Sequence, residues 1–220
     1  MRKFYNKVVI IGCGAVGASI AYALSIQGTV SKMVLIDVNR DKAEGEVMDI
    51  SQGMLNFAPM DITCGDYSDV ADCDIIIIAS GVGRRPGDTR LDLAQNNVNI
   101  IKSVAAEIKP HYNGAVILMV ANPVDVLTYV MYKELGIESS KIFGTGTALD
   151  TARFKYFLSQ ELDVAVNNVH GYIIGEHGDS QFPVRSSMNI AGSPLAEYCE
   201  ANNRSIDLEA IADHVKNAGA

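Results

Sequence analysis

The chain of 220 residues is 48% hydrophobic with a net charge of -8, so a soluble globular protein with one large core or two smaller ones is expected. The charge is spread along the sequence, which argues against nucleic acid or an anionic membrane as a partner. No stretch is long and apolar enough to span a bilayer, and no signal peptide is indicated. The four cysteines lie apart, without metal-ligand spacing, and predict reduced thiols, no metal site and a cytoplasmic protein.

Continuous β-branched runs alternate with segments of helical periodicity through the first two thirds of the chain. The predicted strands are residues 8–11, 34–36, 75–78 and 116–120, and the predicted helices are residues 15–27, 40–52, 92–109 and 124–135. Runs that are apolar on both faces are typical of a buried parallel sheet. The alternation therefore predicts an α/β fold, a Rossmann-type doubly wound parallel sheet over residues 1–145.

A different pattern begins at residue 146 and predicts an incomplete α+β catalytic domain over residues 146–220. We expect a helix at about residues 147–162, a strand at 169–174, a Gly/His/Asp loop and a final amphipathic helix at 207–215. The final helix has an apolar face with no later element to cover it, formed by Leu208, Ile211, Ala212 and Val215. We therefore expect the chain to be truncated at its C-terminus.

The segment GCGAVG at residues 12–17 follows a predicted strand and opens a predicted helix, the context in which this pattern indicates a dinucleotide site. Gly12 permits the tight turn, Gly14 lets the backbone approach a pyrophosphate, and Gly17 allows close packing of helix on strand. Asp37, at the end of the next strand, can accept hydrogen bonds from both ribose hydroxyls and would repel a 2′-phosphate. These features predict NAD as the cofactor. The alternatives are a glycine turn without a ligand and Asp37 as an N-cap of the next helix.

Four further motifs follow in order: SGVGRRPGDTRLDL from Ser80, ANPVD at residues 121–125, LDTARF at 149–154 and GEHGDS at 175–180. Together with the glycine turn they resemble the L-lactate/malate dehydrogenase family, and within it the bacterial lactate branch. The resemblance covers essentially the whole chain, although family members are substantially longer. It implies an NAD-dependent L-2-hydroxy-acid dehydrogenase that interconverts pyruvate and L-lactate in fermentation or glycolysis, as a homotetramer when full length.

The resemblance implies a role for each catalytic residue. His177 would exchange a proton with the substrate, and Asp150 would orient its imidazole and stabilise the protonated form. Arg153 would hold the substrate carboxylate in a bidentate fork, and Asn122 would donate a hydrogen bond to the substrate. Arg90, on a mobile loop, would close over the site and polarise the carbonyl. From the residues alone, His177 would be a surface-loop histidine and Asp150 and Arg153 a surface ion pair.

The resemblance also implies binding positions outside the catalytic set. The cofactor groove would be lined by Gly12, Gly14, Val16, Gly17, Asp37, Lys42, Tyr67, Gly81, Ser103 and Thr145. Lys155 and His170 match positions that bind fructose 1,6-bisphosphate between subunits in bacterial lactate enzymes. A solvated lysine and a strand histidine are the alternative for this pair, because lysine lacks the bidentate geometry of the more usual arginine.

Arg84 stands where the family contacts the substrate side chain. A neutral glutamine is usual there in lactate enzymes, and an arginine in malate enzymes, because a guanidinium can pair with the second carboxylate of oxaloacetate. The segments GTGT at residues 144–147 and EHGDS at 176–180 are typical of the lactate branch. An L-lactate dehydrogenase is therefore the first hypothesis. A malate dehydrogenase is the second, and an NAD-binding fragment without turnover is the third.

Overall fold

A computed structural model describes residues 6–83, 87 and 89–218, and describes only the backbone of Arg90. The chain divides into two units, Met1–Gly144 and Thr145–Ala220, and each is described by itself.

Unit 1 alternates strands and helices. Its strands are β1 (Lys7–Ile11), β2 (Lys32–Ile36), β3 (Asp61–Cys64), β4 (Ile75–Ile78), β5 (Val116–Met119) and β6 (Ile142–Gly144). Its helices are α1 (Ala15–Gln27), α2 (Arg40–Gln52), α3 (Arg90–Ile108) and α4 (Val124–Leu135). The strands pair in parallel in the order β3-β2-β1-β4-β5-β6. The chain reverses direction across the sheet between β1 and β4, and ligands of such sheets bind at that point. The predicted Rossmann-type fold is confirmed.

Both faces of this sheet are covered, which explains why its strands are apolar at every position. All five residues of β1 are buried. Val9 and Ile11 pack in a core cluster with residues of α3 and α4, whereas Val8 and Ile10 pack in a second cluster with residues of α1 and α2. Successive side chains of a strand point to opposite faces, so the single run fills both cores.

Unit 2 combines three helices with short strands. The elements are α5 (Ala148–Leu162), β7 (Val169–His170), β8 (Ile173–Ile174), β9 (Phe182–Pro183), β10 (Asn189–Ile190), β11 (Ser193–Pro194), α6 (Leu195–Ala201) and α7 (Leu208–Asn217). One sheet has the order β11-β10-β7, and β8 pairs with β9 in a separate hairpin.

The prediction of one strand over residues 169–174 is wrong. The segment forms β7, which pairs with β10, and β8, which pairs with β9. Between them lies Gly171, where an added Cβ would meet Met188 at 3.4 Å and Phe154 at 3.5 Å. An apolar run does not encode a change of hydrogen-bonding partner, because that change depends on strands that come later in the chain.

The predicted apolar face of the last helix packs against an earlier element of the chain. Ile211, Ala212 and Val215 are buried. Ile211 and Val215 share a core cluster with Phe154 and Leu158 of α5, so the covering element precedes α7 in the chain.

All four cysteines are free thiols, and Cys13 and Cys73 are buried. In the part of the chain that the structure describes, no group of three or more His, Cys, Asp or Glu side chains is placed to hold a metal ion. Over the same residues no helix has both the length and the apolarity that crossing a membrane requires.

Candidate active site

The glycine turn after β1 can only be built from glycine at two of its positions. Gly12 has a φ of +100°, and a Cβ there would lie 2.6 Å from the backbone nitrogen of Ser80. A Cβ on Gly17 would lie 1.8 Å from the carbonyl oxygen of Gly12. Both glycines are therefore needed to pack α1 closely against the sheet.

Gly14 differs from its neighbours, because a Cβ added there would have no heavy atom within 4 Å. It is the N-cap of α1 and offers no side-chain cap, and the first turn of α1 contains no acidic residue. Open space above uncapped helix N–H groups, at the positive end of the helix dipole, fits a pyrophosphate. Val16, 54% exposed, lies beside it in the first turn.

Asp37 is tied to the glycine turn. Its Oδ2 accepts a hydrogen bond from the backbone N–H of Cys13 at 2.7 Å, and its Oδ1 accepts one from Asn39 at 2.9 Å. The N-cap of α2 is Asn39, whose side chain accepts from the N–H of Lys42, so the alternative role of Asp37 as that N-cap is wrong. A carboxylate has about four lone-pair sites, so Asp37 keeps acceptor capacity for ribose hydroxyls.

A cleft of about 260 Å³ opens at the carboxyl ends of β4 and β5. Its lining includes Val16, Gly81, Val82, Asn97 and Asn122. The structure thus brings two of the predicted cofactor residues, Val16 and Gly81, together with the predicted substrate residue Asn122. The cleft fits a nucleotide moiety, since it continues from the helix N-terminus that would hold the pyrophosphate.

Asn97 organises this cleft, and sequence analysis missed it. The residue is 2% exposed. Its Oδ1 accepts from the N–H of Val82 at 2.8 Å, and its Nδ2 donates to the carbonyl of Asn122 at 2.7 Å and of Val82 at 3.2 Å. It therefore fastens the segment after β4 to the segment after β5. Asn97 precedes buried Ile101 by one helical turn, and a polar residue on the apolar face of α3 was the available signal.

The other predicted residues of the cofactor groove in unit 1 do not line this cleft. Lys42 and Ser103 are exposed on α2 and α3. Tyr67 is half-buried against the core, and burial raises the pKa of its phenol. Thr145 belongs to unit 2, where it is half-buried just before α5.

Two of the predicted site residues are arginines near the start of α3. Arg84 lies outside the described residues, and so does the side chain of Arg90. The backbone of Arg90 begins α3, whose start is fixed by a capping box: Thr89 Oγ1 accepts from the N–H of Asp92, and the Asp92 carboxylate accepts from the N–H of Thr89.

In unit 2 the structure brings His177 and Asp150 together. Nδ1 of His177 lies 2.5 Å from Oδ2 of Asp150. Asp150 is 1% exposed and sits in the first turn of α5, where the helix dipole stabilises a carboxylate. His177 does lie in a loop, as the alternative of a surface-loop histidine holds, but its side chain is 24% exposed and contacts a buried carboxylate. A buried acceptor on Nδ1 fixes the imidazole tautomer and directs Nε2 away from Asp150.

Two threonines at the start of α5, the N-cap Thr147 and Thr151 in its first turns, hold the chain that carries His177. Thr147 Oγ1 donates to the carbonyl of Ile173 at 2.7 Å. Thr151 Oγ1 accepts from the N–H of Ile173 at 3.0 Å and lies 3.2 Å from its carbonyl oxygen. Because β8 begins at Ile173, these bonds fix the hairpin and its loop over the start of α5.

Arg153 lies one turn after Asp150 on α5. Its Nη1 is 3.9 Å from Oδ1 of Asp150, and its side chain is 28% exposed whereas that of Asp150 is 2% exposed. The alternative of a surface ion pair is therefore wrong. The partly exposed guanidinium retains planar donors that suit a carboxylate ligand.

Gln181 is the second residue that sequence analysis missed. It is 5% exposed. If the amide oxygen of Gln181 faced the carboxylate of Asp150, two hydrogen-bond acceptors would face each other. The amide nitrogen therefore faces the carboxylate and lies 3.2 Å from both Oδ1 and Oδ2. The sequence offered little signal, because Gln181 follows a polar loop and reads as one more loop residue.

The two predicted effector residues lie on neighbouring elements of unit 2. The ammonium of Lys155 on α5 is 5.6 Å from the ring centroid of Tyr172. His170 is exposed in β7, where it pairs with Asn189 of β10.

Residues 6–144 match the family described as lactate/malate dehydrogenase, NAD binding domain, and residues 147–220 match the lactate/malate dehydrogenase, alpha/beta C-terminal domain. The chain belongs to the lactate/malate dehydrogenase family. The predicted resemblance is confirmed, and NAD is the cofactor.

Relatives in this family carry the same architecture. L-lactate dehydrogenase 1 of Clostridium acetobutylicum is 46% identical over 98% of this chain and 70% of its own length. The crystal structure of minor L-lactate dehydrogenase from Enterococcus mundtii, with ligands bound, gives a TM-score of 0.93 at 42% identity over 98% of this chain and 70% of that one. The crystal structure of malate dehydrogenase from Plasmodium falciparum gives a TM-score of 0.90 at 30% identity, over 97% of this chain and 69% of that one. The chain spans about 70% of the length of these three relatives.

Proposed function

We propose that this chain is an NAD-dependent L-lactate dehydrogenase that interconverts pyruvate and L-lactate. The observation that carries the proposal is the contact of His177 Nδ1 with buried Asp150, with Arg153 one helical turn away. A proton donor beside a carboxylate-binding group suits a small 2-oxo acid. The 46% identity to bacterial L-lactate dehydrogenases supports lactate over malate.

In this role Nε2 of His177 gives a proton to the carbonyl oxygen of pyruvate and takes one from the hydroxyl of L-lactate. NAD, when bound, supplies or accepts the hydride. Asp150 stabilises the imidazolium that forms when His177 holds the proton, and the low exposure of Asp150 keeps water from competing for Nδ1.

Arg153 binds the substrate carboxylate, Asn122 hydrogen-bonds the substrate, and Arg90 polarises the carbonyl and helps to exclude water. A guanidinium offers two parallel N–H donors to a carboxylate, which gives both affinity and orientation. In unit 1 the glycine turn would hold the pyrophosphate of NAD and Asp37 would hold the adenosine ribose. Further contacts in the family pattern would come from Lys42, Tyr67 and Ser103 of unit 1 and from Thr145 of unit 2.

The test compares kcat/KM for pyruvate and oxaloacetate with NADH as the reductant. We expect kcat/KM for pyruvate to exceed that for oxaloacetate by at least about tenfold, because the relatives at 46% identity are L-lactate dehydrogenases, even though the charge of Arg84 favours the second carboxylate of oxaloacetate. A preference for oxaloacetate would contradict the proposal and support a malate dehydrogenase in which Arg84 pairs the second carboxylate. NADH binding, detected by fluorescence, without turnover of either acid would support the binding-only alternative for this chain.

Arg84 provides the internal control for that comparison. Replacing Arg84 with Gln removes the charge that would attract a second carboxylate, so kcat/KM for oxaloacetate falls while that for pyruvate is maintained or rises. If the ratio of kcat/KM for oxaloacetate to kcat/KM for pyruvate does not change, Arg84 has no part in the choice of substrate.

We further propose a cytoplasmic homotetramer in the full-length form, with fructose 1,6-bisphosphate as an effector at Lys155 and His170. The support is the free state of the four thiols and the family pattern at these two positions. A titration of the bisphosphate checks the effector: the KM for pyruvate should fall, and a Lys155→Met variant should lose the response. No response in the unsubstituted chain would exclude the effector site.

A further inference from the structure

Gln181 and His177 approach the same buried carboxylate from one loop. The loop is closed by a hydrogen bond from the N–H of Gln181 to the carbonyl of Gly178 at 3.3 Å. At its base, Gly175 has a φ of +100°, and a Cβ there would lie 3.2 Å from the carbonyl of Ser180. The position of Gln181 is therefore set by the same turn that positions His177.

Three side chains place polar atoms near the carboxylate of Asp150. His177 contacts Oδ2 at 2.5 Å, Arg153 lies 3.9 Å from Oδ1, and the Gln181 amide nitrogen lies 3.2 Å from both oxygens. Only Gln181 combines burial with hydrogen-bond distance to both oxygens, and as an uncharged donor it adds no charge of its own. A donor within hydrogen-bond distance of both oxygens restricts the rotation of the carboxyl group.

We propose that Gln181 is a positioning residue for the proton-transfer pair: its amide holds the carboxylate of Asp150 turned toward Nδ1 of His177. The consequence for turnover rests on the proposed function. The hydrogen bond from Gln181 to Asp150 is independent of the proposed function, because it orients the partner of the His177 imidazole even when no substrate or cofactor is bound.

Two substitutions of nearly the same size separate the role of the amide from that of its volume. Gln181→Met removes the donor and keeps the shape. Gln181→Glu keeps the shape and sets a second carboxylate against Asp150, so one proton becomes shared between the two carboxyl groups. Gln160→Met on the exposed side of α5 is the matched control, because it makes the same chemical change away from Asp150.

The first readout is nitrogen-15 NMR of the histidine rings. Because the chain has four histidines, their resonances can be assigned by replacing one histidine at a time. In the unsubstituted chain we expect His177 to carry its proton on Nδ1, with a deshielded, slowly exchanging resonance. In Gln181→Met and Gln181→Glu that resonance should broaden or vanish, and the Gln160→Met spectrum should keep it. Retention of the resonance in both Gln181 variants would overturn the proposal.

The second readout is steady-state kinetics with thermal melts of the same variants. We expect kcat with pyruvate to fall roughly tenfold in Gln181→Met and further in Gln181→Glu, with the KM for NADH changed less than about twofold. A fall in kcat without a change in the Nδ1 resonance of His177 would also overturn the proposal, since the role of Gln181 would then be purely structural. If the unsubstituted chain does not turn over pyruvate, the NMR result still decides the role of Gln181.

Discussion

Nδ1 of His177 lies 2.5 Å from Oδ2 of Asp150, although 27 residues separate them in the chain. Asp150 is 1% exposed, so water cannot replace it as the acceptor. The buried carboxylate therefore orients the imidazole of His177.

Asp150→Asn tests that dependence. An amide accepts a weaker hydrogen bond and cannot neutralise the imidazolium, so we expect kcat with pyruvate to fall roughly 100-fold or more. The Kd for NADH should stay within about twofold, because the cofactor groups of unit 1 are unchanged. The matched control is Asp163→Asn at the left-handed C-cap of the same helix, a conformation that asparagine also adopts. A kcat near that of the control would refute the role of Asp150.

Asp37→Asn tests the ribose contact. The asparagine oxygen can still accept from Cys13, so the glycine turn should remain intact, but the charge that favours the ribose diol and repels a 2′-phosphate is lost. We expect NADH affinity, measured by fluorescence titration, to fall about tenfold and the preference for NADH over NADPH to narrow. Asp49→Asn, exposed on α2, should change neither. An unaltered preference would exclude Asp37 from cofactor selection.

Gly14 and Gly17 should respond differently to alanine. Gly17→Ala places a methyl group 1.8 Å from a backbone carbonyl and should lower the free energy of unfolding by about 3 kcal/mol or more. Gly14→Ala has free space and an ordinary φ of -70°, so only the poorer N-cap preference of alanine applies and the free energy of unfolding should fall by about 1 kcal/mol or less. Its NADH affinity should fall instead, since the methyl group occupies the space for the pyrophosphate. Urea denaturation and fluorescence titration separate the two effects.

Asn97→Ala removes the tether between the segments after β4 and β5. The backbone groups of Val82 and Asn122 lose their side-chain partner, and we expect the free energy of unfolding to fall by about 2 kcal/mol. Asn96→Ala, on the exposed side of the same helix, should be neutral or slightly stabilising, since alanine favours helices. Equal denaturation midpoints for the two variants would contradict the tether.

Buried thiols predict a dependence of stability on pH. Burial raises the pKa of Cys13 to about 12 and that of Cys73 to about 11. As pH rises past the ordinary thiol value of about 9, the unfolded chain releases these protons first, so the free energy of unfolding decreases toward pH 11. A Cys13→Ala, Cys73→Ala double variant should show a shallower decrease by urea denaturation.

In the native chain the half-buried Cys64 should react with a thiol reagent before either buried cysteine.

Most of unit 1 could be predicted from its sequence. The bounds of α1, α2, α4 and β4 match the predicted residues, because helices with clear glycine or asparagine boundaries and strands buried on both faces leave local patterns. Unit 2 was predicted less well. Its strands are two residues long and its sheet partners are distant in sequence, so no periodicity can reveal where β7 ends and β8 begins.

The sequence by itself determined the family, the cofactor and the identity of the chemical groups, because glycines, an acidic residue after β2 and four ordered motifs are local features. The tertiary structure decided which groups touch. It set Asp37 against the N–H of Cys13, fastened Val82 to Asn122 through Asn97, and placed Gln181 beside Asp150. These contacts form when segments far apart in the chain pack together, and the burial that gives the hydrogen bonds their strength arises only in that packing.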